Sequence, residues 1–95
     1  VVAFDKSLEV HKNTAQLDCA AATQNILIAA NAKGLGAAWP GVFPDADKMK
    51  AVRKLFCMPA GVAPFAIVAV GYPAEEKYPK ARFSKSRVHF GEWRA

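Results

Sequence analysis

Residues 19–30 read Cys-Ala-Ala-Ala-Thr-Gln-Asn-Ile-Leu-Ile-Ala-Ala, a stretch without a charged side chain. Small or apolar residues occupy almost every position around its turns, which is typical of a buried helix rather than a surface helix. Helical signals begin near Gln16 and Asp18, where the Asp18 carboxylate is suited to cap free N–H groups. Gly34 lies at the position where a helix commonly ends in a left-handed C-terminal cap. The sequence therefore predicts one buried helix that runs to Lys33.

Shorter elements lie on either side of this helix. Residues 1–4, Val-Val-Ala-Phe, read as a strand, and a second, amphipathic helix is predicted from Pro44 to about Cys57. Residues 64–70, Pro-Phe-Ala-Ile-Val-Ala-Val, are continuously apolar and short enough for a central strand covered on both faces. From Ala74 onward basic and aromatic residues alternate without a sustained period, which indicates an extended arm. This order of elements indicates a mixed α and β layer structure.

The size and composition of the chain predict one small domain that does not stand alone. A chain of 95 residues buries roughly 60 to 65 % of its unfolded surface, yet 53 % of these residues are hydrophobic and only 22 % are charged. We therefore expect part of the apolar surface to face a partner. The chain starts with Val1, and no cap or turn precedes the opening strand, so we also expect it to begin within a longer protein.

The positive charge is concentrated near the C-terminus. Residues 1–76 carry seven Lys or Arg against seven Asp or Glu, whereas residues 77–95 carry six against one, which gives the net charge of +5. A basic tail on a neutral body indicates an anionic partner, which is a phosphate, a nucleic acid or a membrane surface.

Cysteine and histidine usage indicates neither a disulfide framework nor a metal site. Cys19 and Cys57 lack the close spacing of a redox or zinc motif, so buried free thiols are predicted. His11 and His89 have no metal-ligand spacing around them, and no metal is predicted. No apolar run reaches the roughly 18 to 20 residues of a membrane span, and no leader opens the chain, so we expect a soluble, cytoplasmic protein.

Several sequence blocks follow one another in a characteristic order. They are Ala22–Ala30, Gly34-Leu35-Gly36, Pro40-Gly41-Val42, Pro64-Phe65-Ala66 and Gly71-Tyr72-Pro73. Taken together, they resemble the C-terminal half of FMN-dependent nitroreductases, and the likeness spans about residues 15–93. The resemblance implies an α+β, three-layer fold with a central sheet and helices, of which residues 1–95 would form the C-terminal portion of a single domain ending in an extended arm.

The resemblance assigns a cofactor role to the loop Trp39-Pro40-Gly41. In that family the isoalloxazine ring lies at a homodimer interface, and the matching loop passes along the ring edge with a backbone N–H donated toward N5. Without a Cβ, Gly41 lets the backbone come within hydrogen-bonding distance of a flat ring, and Pro40 stiffens the approach. The alternative for this loop is a plain tight turn.

The resemblance also assigns the FMN phosphate to a Lys-x-Arg pair, which Lys80 and Arg82 match. Residues two apart in an extended arm share a face, so both can point at one phosphate, Arg82 by a bidentate fork and Lys80 as a point charge. The alternative is a solvated basic tail. The family's arginine- and serine-rich motif and its contacts to the flavin pyrimidine edge normally lie near the start of the complete protein and are absent from this sequence.

Four aromatic residues near these segments have two interpretations each. Trp39 and Phe43 flank the loop and either line a substrate or ring-stacking surface or serve as packing groups, of which packing is favoured. Phe90 and Trp93 either anchor the arm on a partner subunit, as the resemblance implies, or dock onto the chain's own core.

The function implied by the resemblance is an FMN-dependent NAD(P)H oxidoreductase. Its two-step cycle passes hydride from NAD(P)H to FMN and then to a nitroaromatic, quinone or similar electron-poor acceptor, so no side-chain acid, base or nucleophile is required. A homodimer is expected, with no nucleic-acid or membrane partner. One alternative is a nucleic-acid-binding protein that uses the basic and aromatic arm, and another is an inactive fragment that lacks the N-terminal half of the FMN site.

Overall fold

The computed structural model describes residues 1–93 and has an α+β architecture, as predicted. Two α-helices alternate with short strands, and two 3₁₀ turns lie at Lys6–Leu8 and Lys85–Arg87. The helices and strands are β1 Val2–Asp5, α1 Ala15–Ala32, β2 Gly36–Ala38, α2 Ala46–Leu55, β3 Val62–Ala66 and β4 Ala69–Gly71.

Helix α1 begins and ends by different devices. Thr14 occupies the N-cap position without a side-chain hydrogen bond to the helix, and Asp18 lies in the first turn, so the prediction that Asp18 caps the helix was wrong. The C-terminal prediction is confirmed, because Gly34 adopts a φ of +75°. The N–H of Leu35 then donates to the carbonyl oxygen of Ala30 at 2.9 Å, which closes the helix end as a left-handed glycine cap permits.

Only one face of α1 is covered by the rest of the chain. Cys19, Thr23 and Ala30 are buried on that face, whereas the side chains of Leu17 and Ile28 are 70 % and 58 % exposed. The prediction of burial on all sides was therefore wrong for residues 1–93, because no other element of this length of chain packs against the opposite face. The apolar residues there face solvent.

The predicted central strand over residues 64–70 is two strands in two different sheets. Strand β3 pairs antiparallel with β1, with Phe4 opposite Ala63, and β4 pairs antiparallel with β2, with Ala37 opposite Val70. Ile67 and Val68, which belong to neither strand, carry the chain from one sheet to the other. A continuous apolar run does not reveal such a crossing, because both strands and the link between them are apolar.

The core lies between α1 and the β1–β3 sheet. Cys19, Phe65 and Ala66 are buried together, and Phe4 and Phe43 pack against them. Burial raises the pKa of the Cys19 thiol, and the neighbouring Asp18 carboxylate raises it further. Cys19 is therefore the buried, protonated thiol that the sequence predicts.

Cys57 departs from that expectation. It lies just beyond the end of α2 at a φ of +50°, and its thiol is exposed rather than buried. The prediction of two buried thiols was wrong for this residue, because the turn that follows α2 directs it away from the core side of the helix, on which Val52 is buried.

Helix α2 is the amphipathic helix that the sequence predicts, with bounds one or two residues inside the expected ones. Asp45 caps it, since its carboxylate accepts hydrogen bonds from the N–H groups of Asp47 and Lys48, each at 3.1 Å. These bonds, the one from Lys48 first, hold the pKa of Asp45 below its usual range. Val52, two turns farther along the helix, is buried.

The segment from Tyr72 to Trp93 contains neither an α-helix nor a strand and forms the arm that the sequence predicts from Ala74 onward, interrupted by the 3₁₀ turn Lys85–Arg87. Phe90 and Trp93 are 88 % and 83 % exposed, so they do not dock onto the chain's own core. The radius of gyration is 17.0 Å, whereas a compact domain of this length has about 12 Å. Within residues 1–93, none of the helices combines the length and apolar character that crossing a lipid bilayer requires.

Candidate functional site

The loop Trp39-Pro40-Gly41 lies between β2 and α2 and is held against the end of β3. All three residues are exposed, and Gly41 forms a single antiparallel bridge with Ala66. Val42, the next residue, is only 4 % exposed. The chain therefore presents Gly41 to solvent and enters the core immediately after it.

The aromatic rings of Trp39, in the loop, and of Phe43, just after it, pack on Phe65. The ring centroid of Trp39 lies 5.9 Å from that of Phe65 at an interplanar angle of 52°, and the ring of Phe43 stacks on Phe65 at 5.6 Å and 26°. Both residues therefore make the packing contacts that the favoured interpretation expects. Trp39 nevertheless keeps 37 % of its surface exposed, so part of its ring remains available.

The conformation of Gly41 bears on the alternative of a plain tight turn. A Cβ built on Gly41 would meet no other atom within 4 Å, so open space lies in front of this backbone. Gly41 does not adopt the positive φ that favours glycine, which Gly34 and Gly91 do adopt. The turn itself therefore does not require glycine here, whereas close approach of a ligand to the backbone would.

Lys80 and Arg82 lie in the arm, and both are exposed. Within residues 1–93, neither side chain forms a hydrogen bond or an ion pair with another residue, whereas the nearby Lys77 pairs with Glu75 at 2.8 Å. No such bond joins Lys80 or Arg82 to the loop at Trp39, so the chain by itself does not bring the two predicted parts of the site together. Their charged groups are available to an external anion.

An open groove lies elsewhere. It has a volume of about 970 Å³ and is lined by the C-terminal end of α1, by strands β2 and β4 and by residues 72–78. A second cavity of about 380 Å³ lies beside the N-terminal end of α1. Neither is lined by the loop or by Lys80 and Arg82.

The two histidines and the acidic side chains build no metal site in the described part of the chain. Among residues 1–93, no group of three or more His, Cys, Asp or Glu side chains is placed to hold a metal ion. His89 instead stacks on the ring of Trp93, with centroids 4.1 Å apart and an interplanar angle of 25°.

Phe65 is the residue of this region that sequence reasoning missed as a support for the loop. The sequence marks it only as part of an apolar strand, and its contact with Trp39 joins residues far apart along the chain. The one available signal was its size, since Phe65 is the single aromatic residue among small and aliphatic neighbours at positions 62–70.

Comparison with known proteins places these features in a family. The model of the nitroreductase family matches residues 1–72, which is more than half of the chain and includes the loop and both sheets. The chain belongs to the nitroreductase family. Lys80 and Arg82 lie beyond the matched residues.

Relatives and solved structures agree with this assignment. A Methanothermobacter thermautotrophicus protein, provisionally named NADH dehydrogenase/NAD(P)H nitroreductase, is 42 % identical over 93 residues, which are 98 % of this chain and 49 % of that protein. A Parabacteroides distasonis crystal structure with the same provisional name superposes with a TM-score of 0.89 at 36 % identity, covering 96 % of this chain and 53 % of that one. An FMN-dependent nitroreductase from Clostridium difficile superposes with a TM-score of 0.82 at 26 % identity, covering 96 % and 55 %. This nitroreductase-family chain thus spans about half the length of the relatives that it matches.

Proposed function

We propose that the protein containing this chain is an FMN-dependent NAD(P)H oxidoreductase that reduces nitroaromatic, quinone or similar electron-poor acceptors. In this proposal residues 1–95 are the C-terminal portion of a single nitroreductase-like domain, and the complete protein is a homodimer. The observation that carries the proposal is the exposed Gly41 backbone with open space in front of it, in a family-matched chain whose nearby Trp39 ring packs on Phe65.

The loop is suited to the edge of a planar ring. Open space on the Cβ side of Gly41 leaves room for a flat ligand beside the backbone, and Pro40 before it restricts the backbone of the approach. Trp39 adds a partly exposed aromatic face beside that position. These residues bind and orient a ring, and none of their side chains is an acid or base that could transfer a proton.

The arm is suited to the phosphate at the other end of such a cofactor. Lys80 and Arg82 are exposed cations that form no ion pair with a carboxylate of residues 1–93, so a phosphate meets no competing anion there. Arg82 can bind two phosphate oxygens at once, and Lys80 adds a second charge-assisted hydrogen bond.

The chemistry assigned to the side chains is limited. Hydride transfer from NAD(P)H to an electron-poor acceptor is what FMN supplies when it is bound. The residues of this chain hold the ring, orient its reactive edge and neutralise its phosphate. The rest of the proposed site, an arginine- and serine-rich segment and contacts to the pyrimidine edge, lies outside these 95 residues, and a second protomer would complete it.

Replacement of the basic pair in the full-length protein tests the cofactor assignment. Lys80→Ala with Arg82→Ala removes two charge-assisted contacts, each worth about 1.5 to 3 kcal/mol, so FMN affinity is expected to fall at least about a hundredfold while the fold is retained. The measurement is a titration of the apoprotein with FMN, followed by quenching of flavin fluorescence, with circular dichroism to monitor the fold.

The chain offers a matched control for this experiment. Lys85→Ala with Arg87→Ala removes the same two charges at the same spacing, farther along the arm. The proposal expects this control to keep most of the FMN affinity. An equal loss of FMN affinity in both double variants would show that Lys80 and Arg82 attract the phosphate only nonspecifically, through the charge of the arm. Unchanged flavin occupancy in Lys80→Ala with Arg82→Ala would contradict the phosphate assignment.

The arm supports one further candidate function, which is nucleic-acid binding. Tyr78 and Phe83 are 85 % and 81 % exposed and alternate with basic residues, as in proteins that follow a single strand and stack its bases. Against it, charges over residues 1–76 balance, so the body adds no basic face. A purified yellow protein with flavin absorbance supports the oxidoreductase, whereas a colourless protein that retards oligonucleotides supports the alternative.

A further inference from the structure

Phe65 and its neighbour Ala66 contact three residues of the segment from Trp39 to Phe43. The ring of Phe65 meets Trp39 at 5.9 Å and Phe43 at 5.6 Å. The N–H of Phe43 donates to the carbonyl oxygen of Phe65 at 3.1 Å, and Gly41 bridges to Ala66. The segment from Trp39 to Phe43 is thus attached at its start, its middle and its end to two consecutive residues of β3.

The attachment point is itself immobilised by the core. Phe65 is 7 % exposed and Ala66 is fully buried, and both pack with Cys19 of helix α1. A buried ring in a close-packed core has little freedom to change rotamer, so it is a fixed surface for whatever packs on it. Trp39, by contrast, is more than a third exposed and forms no other ring pair within residues 1–93.

We propose that Phe65 is a positioning residue for the flavin ring, acting through Trp39 and Gly41. This inference rests on the proposed function in that the ligand of the loop is FMN. The ring of Phe65 sets the tilt of the Trp39 indole, and the bridge from Ala66 sets how far the Gly41 N–H reaches from the core. Phe65 does not need to touch the cofactor, since its effect is transmitted by the loop.

Phe65→Leu separates the ring contacts from the backbone contacts. Leucine keeps most of the apolar volume and leaves the carbonyl oxygen of residue 65 and the Gly41 bridge in place, but it removes both ring pairs. Phe65→Tyr restores the ring. Phe56→Leu is the matched control, because Phe56 is half exposed beyond the end of α2 and forms no ring pair within residues 1–93.

The first readout does not depend on FMN. The full-length apoprotein is labelled with fluorotryptophan, and the Trp39 resonance is identified by its loss in Trp39→Phe. In the unmodified protein we expect one narrow Trp39 resonance, displaced from the solvent-exposed position by the ring current of Phe65. Phe65→Leu is expected to move this resonance toward the exposed position or to broaden it, Phe65→Tyr to restore it, and Phe56→Leu to leave it unchanged.

The second readout is FMN affinity in the same proteins. Loss of an aromatic pair that orients the loop is expected to weaken FMN binding about two- to tenfold in Phe65→Leu and not in Phe56→Leu. If Phe65→Leu does not fold, the spectrum of the unmodified apoprotein still tests the inference. A Trp39 resonance that is broad, or that lies at the solvent-exposed position, overturns it.

The outcomes separate this inference from the proposed function. The positioning role is overturned if the unmodified protein binds FMN normally and Phe65→Leu changes neither the Trp39 resonance nor the FMN affinity. The oxidoreductase proposal is unaffected by that outcome. Absence of FMN binding in the unmodified full-length protein overturns the proposed function, and with it the flavin as the ligand that Phe65 positions. A displaced Trp39 resonance and weaker FMN binding, both restored in Phe65→Tyr, support the inference.

Discussion

At the scale of single residues, Thr23 shows how a polar side chain is accommodated in the core of this chain. It is fully buried, and its Oγ1 donates to the carbonyl oxygen of Cys19 at 2.6 Å, one helical turn earlier. The same carbonyl oxygen also accepts the regular helical hydrogen bond from a backbone N–H. Loss of the hydroxyl would therefore leave no other polar group without a hydrogen-bond partner. The contribution of Thr23 is therefore mainly the volume of its side chain.

Two substitutions at Thr23 test this view. Thr23→Val keeps the shape and removes the hydroxyl, and it is expected to change the free energy of unfolding by less than about 1 kcal/mol. Thr23→Ala removes the buried methyl group together with the hydroxyl and is expected to cost more, because it leaves a cavity beside Cys19. Urea unfolding of the full-length protein measures both, and a loss for valine as large as the loss for alanine would show that the hydrogen bond dominates.

At the scale of elements, helix α2 depends on a charged cap. The carboxylate of Asp45 accepts two backbone N–H bonds, and Lys48 Nζ lies 3.5 Å from its Oδ2. Both interactions favour the ionised form, which is why the pKa of Asp45 lies below its usual range. A lowered pKa in the folded state adds stability above the unfolded pKa and loses it as the pH falls through the folded value.

Asp45→Asn and Asp45→Ala distinguish the charge from the cap. Asparagine also caps helices, so Asp45→Asn is expected to be moderately less stable than the unmodified protein at pH 7, with the difference shrinking below about pH 4. Asp45→Ala loses the cap and is expected to be the less stable variant at neutral pH. Urea midpoints measured between acid and neutral pH check both, and a difference between Asp and Asn that does not vary with pH would argue against a role of the charge.

The elements also show which features are readable in a sequence. Gly34 was correctly interpreted because it acts on backbone groups a few residues away. Strand β2 was missed because Gly36-Ala37-Ala38 has no β-branched or aromatic residue, and it forms only by pairing with the distant β4. The same limit applies to the site, where the loop has a local glycine signal but its support, Phe65, is set by tertiary packing.

At the scale of the whole molecule, the chain leaves much of its apolar surface uncovered. Leu17 and Ile28 project from the same side of α1, and Tyr72 and Phe90 of the arm are nearly fully exposed. Isolated exposed apolar residues are ordinary, but large apolar side chains that recur along one exposed side of a helix are typical of an interface. The apolar excess in the composition predicted a partner, and the sequence did not reveal which face it would cover because both sides of α1 are apolar.

The isolated chain is therefore expected to associate in solution. Burial of a leucine or isoleucine side chain is worth about 1.5 to 3 kcal/mol, so Leu17→Lys with Ile28→Lys is expected to weaken association at least about a hundredfold. Ala46→Lys with Ala51→Lys adds the same two charges on exposed positions of α2 and serves as the control. Sedimentation of the three chains over a range of concentrations measures the effect, and a compact 10.2 kDa species for the unmodified chain would show that the exposed face of α1 needs no cover.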